Sequence, residues 1–353
     1  MHNQEKAGLK SIQALRALAC IIVVLSHYQT SIHYQNGSDL LRLHFFDWGA
    51  SGVDLFFVIS GFIMAYTTKS KENGIATAIS FLVKRAKRIL PAYYFWLLFS
   101  FAIGGAMSIF HYPEKLDSLL SAISFQPNIA NTPPNYIADD GFYIARWTLN
   151  YEMYFYVIFA LSLIFSNHIK LIISWGILSA LIIPLLLTGH ASFSTTGYDF
   201  TSVRQMFYTN PIILEFLMGV IVCKIYDKLT FITPKASLYL LAVATIFLTY
   251  ALFHDLVRPF SLLAGGIFSL ILMFAIKSEV IIFNKTPRVI LALGDMSYSL
   301  YLSHLPVAAF FKKRFPSMFD NLASQLLMLS IMLITTIILS RLSYKYIEQK
   351  MFK

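Results

Sequence analysis

The sequence predicts an all-α fold, a polytopic integral membrane bundle of about ten transmembrane helices with both termini cytoplasmic. Two observations carry this. Hydrophobic residues make up 57% of the chain against 13% charged, with a mean hydropathy of +0.64, a balance outside the range of soluble domains. The apolar runs are also long and continuous, without the alternation of a membrane β-barrel. A single membrane domain over residues 1–353, with no appended soluble domain, is the expected organisation.

A spanning helix needs about 20 apolar residues. The runs that qualify are 11–30, 48–67, 90–110, 147–166, 169–187, 206–226, 236–253, 257–276, 289–310 and 322–343. A short basic segment precedes the first run, but no small-residue cleavage site follows it, so it reads as an uncleaved span. That run holds Arg16 and His27, eleven residues and almost three turns apart. One helical face therefore carries both, separated by roughly 16 Å along the axis. Each ionisable group in hydrocarbon costs about 2.5 kcal/mol or more, so the pair reads either as a functional pathway or as a snorkelling arginine beside a histidine satisfied by its neighbours.

The second run contains Gly52 and Gly61, read as close-packing positions, together with Asp54. Residues 71–83 follow, with Ile75, Ile79 and Leu82 at helical spacing, predicting a short interfacial helix. It leads into Lys84, Arg85, Lys87 and Arg88. This cluster is either an anchor on anionic lipid, worth about 1 kcal/mol per cation, or a docking patch for a phosphate-rich ligand. The longest outer loop precedes the fourth run, and its segment 128–140 reads as a lid, an acceptor platform or disorder. The fourth and ninth runs contribute Glu152 and His304. Cys20 and Cys223 suit packing thiols, and no histidine or cysteine group has ligand spacing, so no metal is expected.

With a cytoplasmic N-terminus, twenty of the 28 Lys and Arg residues fall on the cytoplasmic side, as the positive-inside rule requires. The Lys312-Lys313-Arg314 cluster falls outside and opposes it locally. The net charge of +10 thus reports topology and calls for no nucleic acid. In this orientation His27, Asp54, Glu152 and His304 all lie within roughly 5 to 10 Å of the outer boundary. A histidine beside a carboxylate can activate a hydroxyl, because the carboxylate fixes the tautomer and stabilises the imidazolium. The same layer could serve as a proton relay in a transporter or flippase of a glycan precursor, although the repeat symmetry of many transporters is not visible.

The motifs fall in a definite order: SIQALRALACIIVVLSH ending at His27, GVDLFFVISGFIM at 52–64, KRAKRILPAYY at 84–94, WTLNYEMYFY at 147–156, GDMSYSLYLSH at 294–304 and YKYIE at 344–348. Together they resemble the acyltransferase 3 family of membrane O-acyltransferases, and most closely its exopolysaccharide O-acetyltransferase branch. The resemblance runs from about residue 9 to 348. It implies a bacterial inner-membrane enzyme that moves an acetyl or other short acyl group from acetyl-CoA, or another acyl-CoA, to a carbohydrate or lipid-linked glycan acceptor, with membrane lipid as its surroundings.

By this resemblance His27 is the catalytic base, paired with Arg16. Arg85 and Arg88 match the basic motif at the cytoplasmic mouth, and Trp147 and Glu152 match the tryptophan and acidic positions of the fourth motif. Where the family often has two acidic residues, this chain has Tyr151-Glu152. Tyr344 and Glu348 match the closing tyrosine and glutamate, and His304 matches the histidine that ends the ninth-span motif. The acyl-CoA head is then expected at Arg16, Arg85 and Arg88, with its thioester threading a tunnel of about 20 Å through the bundle. Ser297 and Tyr298 either line that tunnel or hydrogen-bond between helices. Asp54 or Glu152 is expected to orient the His27 ring, and transfer is either direct or through an acyl-enzyme on His27 or Ser26.

Overall fold

The computed structural model describes residues 9–30, 44–104, 109–130, 132–138 and 143–351. Lys6, Arg42, Asp139, Asp140 and Lys353 lie outside these residues. All regular structure among the described residues is helical. The chain runs through α1 (Lys10–Gln29), a 3₁₀ turn (His44–Ser51), α2 (Gly52–Thr68), α3 (Ile75–Gly104), α4 (Pro113–Ser124), α5 (Arg146–Leu163) and α6 (His168–Thr188). It continues through α7 (Val203–Tyr208), α8 (Ile213–Ile225), α9 (Pro234–Phe253), α10 (Leu262–Lys277), α11 (Arg288–Asp295), α12 (Ser297–Arg314) and α13 (Leu322–Ser343), which ends in a π-turn, Tyr344–Glu348.

Six helical segments are long and apolar enough to cross a membrane: Lys10–Gln29, Phe46–Thr68, His168–Thr188, Val203–Ile225, Pro234–Phe253 and Leu322–Glu348. Leu262–Lys277 is a shorter apolar helix. These helices mark a multi-pass membrane protein. The helices α3, α5 and α12 are not among the six, and each carries charged or hydrogen-bonding side chains within its length.

Local chemistry moves several boundaries away from the sequence expectation. The predicted interfacial helix and third span are one 30-residue helix, α3, with Pro91 inside it. A proline there removes one backbone donor, a loss that neighbouring helices offset in a membrane bundle. The sixth run breaks at Asn210-Pro211, where the Asn210 side chain accepts from the Ile212 N–H at 2.9 Å. The ninth run breaks between α11 and α12. Part of the predicted outer loop is α4, opened by Pro113 at its first turn, as proline prefers.

The core is built around α2 and α8. The Val203–Ile225 segment is 78% buried and Phe46–Thr68 is 72% buried, against 22% for Leu322–Glu348 at the rim. The crossing of α2 and α8 requires glycine on both sides. A Cβ on Gly61 would stand 2.0 Å from the Phe216 carbonyl oxygen, and one on Gly219 would stand 1.9 Å from that of Val58. A methyl group at either position forces the backbones apart, so small residues set the contact, as is common between membrane helices. Gly52 serves α1 likewise, its absent Cβ falling 2.4 Å from the Ala19 oxygen. Gly219→Leu is expected to lower the thermal midpoint of the purified protein by at least several degrees, with a loss of folded yield.

α1 is anchored at its start by the turn that follows α10. The Glu279 carboxylate accepts the Lys10 N–H at 2.8 Å and the Ser11 N–H at 3.0 Å. It satisfies two donors that a helix leaves unpaired and complements the positive end of its dipole. Glu279→Ala should cost about 1–2 kcal/mol, read as a lower unfolding midpoint. Because α1 carries Arg16 and His27, this cap also fixes the axial position of both.

Candidate active site

The middle of α12 brings His304 to His27. The His304 Nε2 lies 3.3 Å from the His27 Nδ1, and the rings are 5.0 Å apart between centroids. The backbone settles the tautomers. The His27 Nδ1 faces the Val23 carbonyl at 2.9 Å and the His304 Nδ1 faces the Tyr301 carbonyl at 2.6 Å. A carbonyl only accepts, so both Nδ1 atoms carry hydrogen. The His304 Nε2 is then a lone pair that shares the His27 Nδ1–H, and the His27 Nε2 is a lone pair with its ring already oriented. His304 is fully buried and His27 half-buried.

The histidine pair has its own support. The Tyr28 hydroxyl donates to the His304 carbonyl at 3.0 Å and pairs with the Thr336 hydroxyl of α13 at 2.6 Å. This strut ties α1, α12 and α13 at the level of the imidazoles. Tyr28 and Thr336 carried no sequence signal, since a tyrosine after a histidine and a threonine in an apolar helix are both ordinary.

Neither expected carboxylate hydrogen-bonds to His27 among the described residues. Fully buried Asp54 accepts the N–H groups of Phe260 and Ser261 at 3.0 and 3.1 Å. It closes the entry to α10, with buried Glu215 of α8 as its carboxyl neighbour. Residue 54 sits in the first turn of α2 and its side chain lies on the face that meets α8 and α10. Asp54→Ala is accordingly expected to cost about 1–3 kcal/mol of stability through the orphaned backbone donors. A lowered midpoint with kcat within about threefold of the parent protein is the pattern of that structural role.

Glu152 joins a different set. It accepts the Tyr156 hydroxyl and lines a cavity of about 790 Å³, mouth included, together with Arg16, Arg85, Arg88, Ser297 and Tyr298. Arg16, 8% exposed, has one hydrogen bond among the described residues, to the Gln13 Oε1 at 3.4 Å. The Arg85 guanidinium lies over the rings of Phe81 and Tyr156, at 5.2 and 5.4 Å from their centroids. None of the three arginines forms an ion pair with a carboxylate among the described residues. Glu348, Glu152 and Asp295 act on Arg16 only at Coulombic range, and the Arg85 Nη2 donates to the Thr67 hydroxyl at 3.4 Å. Three guanidinium groups around one cavity, answered at a distance, leave their forked donors available for an anion.

Tyr298 and Ser297 divide the two roles expected of them. The Tyr298 hydroxyl donates to the Ile89 carbonyl of α3 at 3.0 Å, an interhelical contact made at the cavity wall. The buried Ser297 hydroxyl lines the same cavity with no hydrogen-bond partner among the described residues. Farther along, Thr148 and Tyr301 line the cavity, their hydroxyls 2.8 Å apart. The Tyr301 ring lies 5.6 Å from that of His304, so the cavity runs from the arginines to within one ring of the histidine pair.

The remaining predicted residues stand behind this wall. Buried Trp147 packs edge-on against Phe57, Tyr151 and Phe260, at 6.2, 6.3 and 5.3 Å. Glu348 accepts the Ser299 hydroxyl, which also pairs with the Ser343 hydroxyl at 2.9 Å. Ser343 in turn accepts the Trp96 indole N–H at 3.2 Å. Tyr344, half-buried in the π-turn, is not among the lining residues of the cavity.

Comparison with known proteins bears on this arrangement. Residues 9–343 match the acyltransferase domain model of the acyltransferase 3 family. The Exopolysaccharide production protein ExoZ of Rhizobium meliloti (strain 1021) is 32% identical over 267 residues, 74% of this chain and 77% of that protein. The Peptidoglycan O-acetyltransferase OatA of Listeria monocytogenes serovar 1/2a is 25% identical over 374 residues, 96% of this chain. The match covers 55% of OatA, so the chain spans about half of that relative's length. No solved structure matches. With a family model spanning residues 9–343 and a relative 32% identical over 74% of its length, this chain belongs to the acyltransferase 3 family of membrane acyltransferases.

Proposed function

We propose that the chain is an O-acyltransferase of the bacterial inner membrane. It moves an acetyl or other short acyl group from cytosolic acyl-CoA to a sugar hydroxyl of an exopolysaccharide, O-antigen or lipid-linked glycan. The ten-span topology with cytoplasmic termini goes with this reading, because it turns Arg85 and Arg88 toward the cytosol where acyl-CoA is made. The observation that carries it is the buried Arg16, set with Arg85 and Arg88 in a cavity that ends beside the histidine pair. Guanidinium groups held in an apolar bundle without carboxylate partners are costly unless an anionic ligand uses them, and the phosphates of CoA are such a ligand.

In this scheme the His27 Nε2 takes the proton of the acceptor hydroxyl as its oxygen attacks the thioester carbonyl. His304 and the Val23 carbonyl stabilise the imidazolium through its Nδ1–H, the place a carboxylate holds in many such sites. As the carbon–sulfur bond breaks, His27 returns the proton to the departing thiolate. One new ester, one free thiol and an unchanged enzyme result.

The test uses the purified full chain in lipid nanodiscs with labelled acetyl-CoA and a polysaccharide pool from the producing cell. Label in alkali-labile ester linkage to glycan is expected. Glycan flux across the bilayer without any acylated product would replace this reading with that of a transporter.

A further inference from the structure

A second cavity lies at the other end of the same three helices. Along α12, Ser297 and Tyr298 face the arginine cavity, Tyr301 and His304 follow, and Lys312 and Lys313 come last. The path from Tyr298 to Lys313 is about 22 Å. On α3 the order is the same, with Arg85, Arg88 and Ile89 on the first cavity and Ser100 and Ile103 on the second. On α5, Thr148 and Glu152 serve the first, while Tyr143 and Ile144 just ahead of the helix serve the second. The two cavities thus sit end to end with the histidine level between them.

The second cavity spans about 1180 Å³ with its open mouth and holds about 400 Å³ inside, within the roughly 300–1,000 Å³ of small-ligand sites. Among the described residues its charged lining is cationic: Lys115, Lys312 and Lys313. Lys313 spends one donor on the Ile103 carbonyl at 2.8 Å, and an ammonium has three. Tyr143, 2% exposed, also lines it, and its hydroxyl has no hydrogen-bond partner among the described residues. Ala308 stands one turn beyond His304 on the cavity wall, and Lys312 is close enough to act on His27 through its charge.

We propose that this cavity is the acceptor subsite and that its lysines bind an anionic group, a carboxylate or a phosphate, on the glycan. The inference rests on the acyltransferase reading and names its substrate class. It also explains why a Lys-Lys-Arg cluster stands on the side of the bundle where the positive-inside rule disfavours it. The ammonium groups hold the acid by charge, leaving a neighbouring sugar hydroxyl to reach the His27 Nε2.

The test is equilibrium binding, without acyl donor, of fluorescent tetrasaccharides to the full chain in phosphatidylcholine nanodiscs. One probe carries glucuronic acid, a second carries a sugar phosphate, and a third is the carboxyl-reduced, neutral form of the first. The wild type is expected to prefer a charged probe over the neutral one by about tenfold, and the tighter of the two charged probes identifies the acid. In a Lys312→Gln, Lys313→Gln variant the preference should fall below about twofold, and Lys312→Arg, Lys313→Arg should restore it.

Equal binding of all three probes by the wild type, or an unchanged preference in the glutamine variant, would overturn the proposal. So would full displacement of the charged probes by phosphatidylglycerol in the nanodisc, which would make the cavity a lipid site. Because no acyl group moves in this assay, a protein that binds the charged probe yet labels no glycan would refute the reaction and not the subsite.

Discussion

His27→Ala is expected to lower acyl transfer by about 10²–10⁴-fold, the usual contribution of a positioned general base, with the chain still inserted and folded. The geometry makes this side chain special among the histidines. Its Nδ1–H is committed to Val23 and His304, so only its Nε2 lone pair is left to take a proton. His304 acts through that ring: His304→Phe should reduce kcat by about tenfold, the worth of one hydrogen bond to a developing charge, and leave the KM for acyl-CoA unchanged. Replacement of His304 by Gln restores an acceptor and should recover part of the loss. Single-turnover transfer of labelled acetyl to glycan measures all three, and a fully active His27→Ala protein would remove the base from the mechanism.

The second large effect is expected at the arginines. Arg16→Ala should raise the KM for acyl-CoA by about 10–100-fold, the equivalent of one or two charged hydrogen bonds lost in a buried site. Lysine at this position should recover little, since an ammonium cannot reproduce the forked donors. Arg85→Ala with Arg88→Ala should weaken CoA binding as well, and the binding that remains should depend less steeply on salt because fewer charges take part. Equilibrium binding of labelled CoA at two ionic strengths checks both. Unchanged affinity in the double variant would return Arg85 and Arg88 to the lipid-anchoring role, and unchanged affinity on loss of Arg16 would leave its burial without a ligand.

Particular residues show how far the sequence reaches. Arg16 and His27 were legible because the period of one helix places them on one face, a relation internal to α1. The apolar runs were legible for the same reason, though their ends moved where Pro113 opens α4 and where Asn210-Pro211 separates α7 from α8. The layer of four ionisable groups was not. Counting from the end of an apolar run gives depth only if the helices start level, and Glu152 instead meets the arginines while Asp54 meets the backbone at the start of α10. The pairing of His27 with His304 spans 277 residues of chain, and nothing periodic encodes such a distance. The family resemblance supplied His304 as a position without its partner.

Helices α3 and α12, which line both cavities, and α5, which lines the first, are not among the described segments long and apolar enough to span alone. The translocon decides on each segment as it emerges, and a polar inner face weakens that decision. These helices therefore depend on sequestration by their greasier companions during biogenesis. A defect in the glycine crossing of α2 and α8 would then surface first as misoriented or degraded chain, before any lowered turnover could be measured, and the organism would lose the enzyme at the ribosome's exit and not at its substrate.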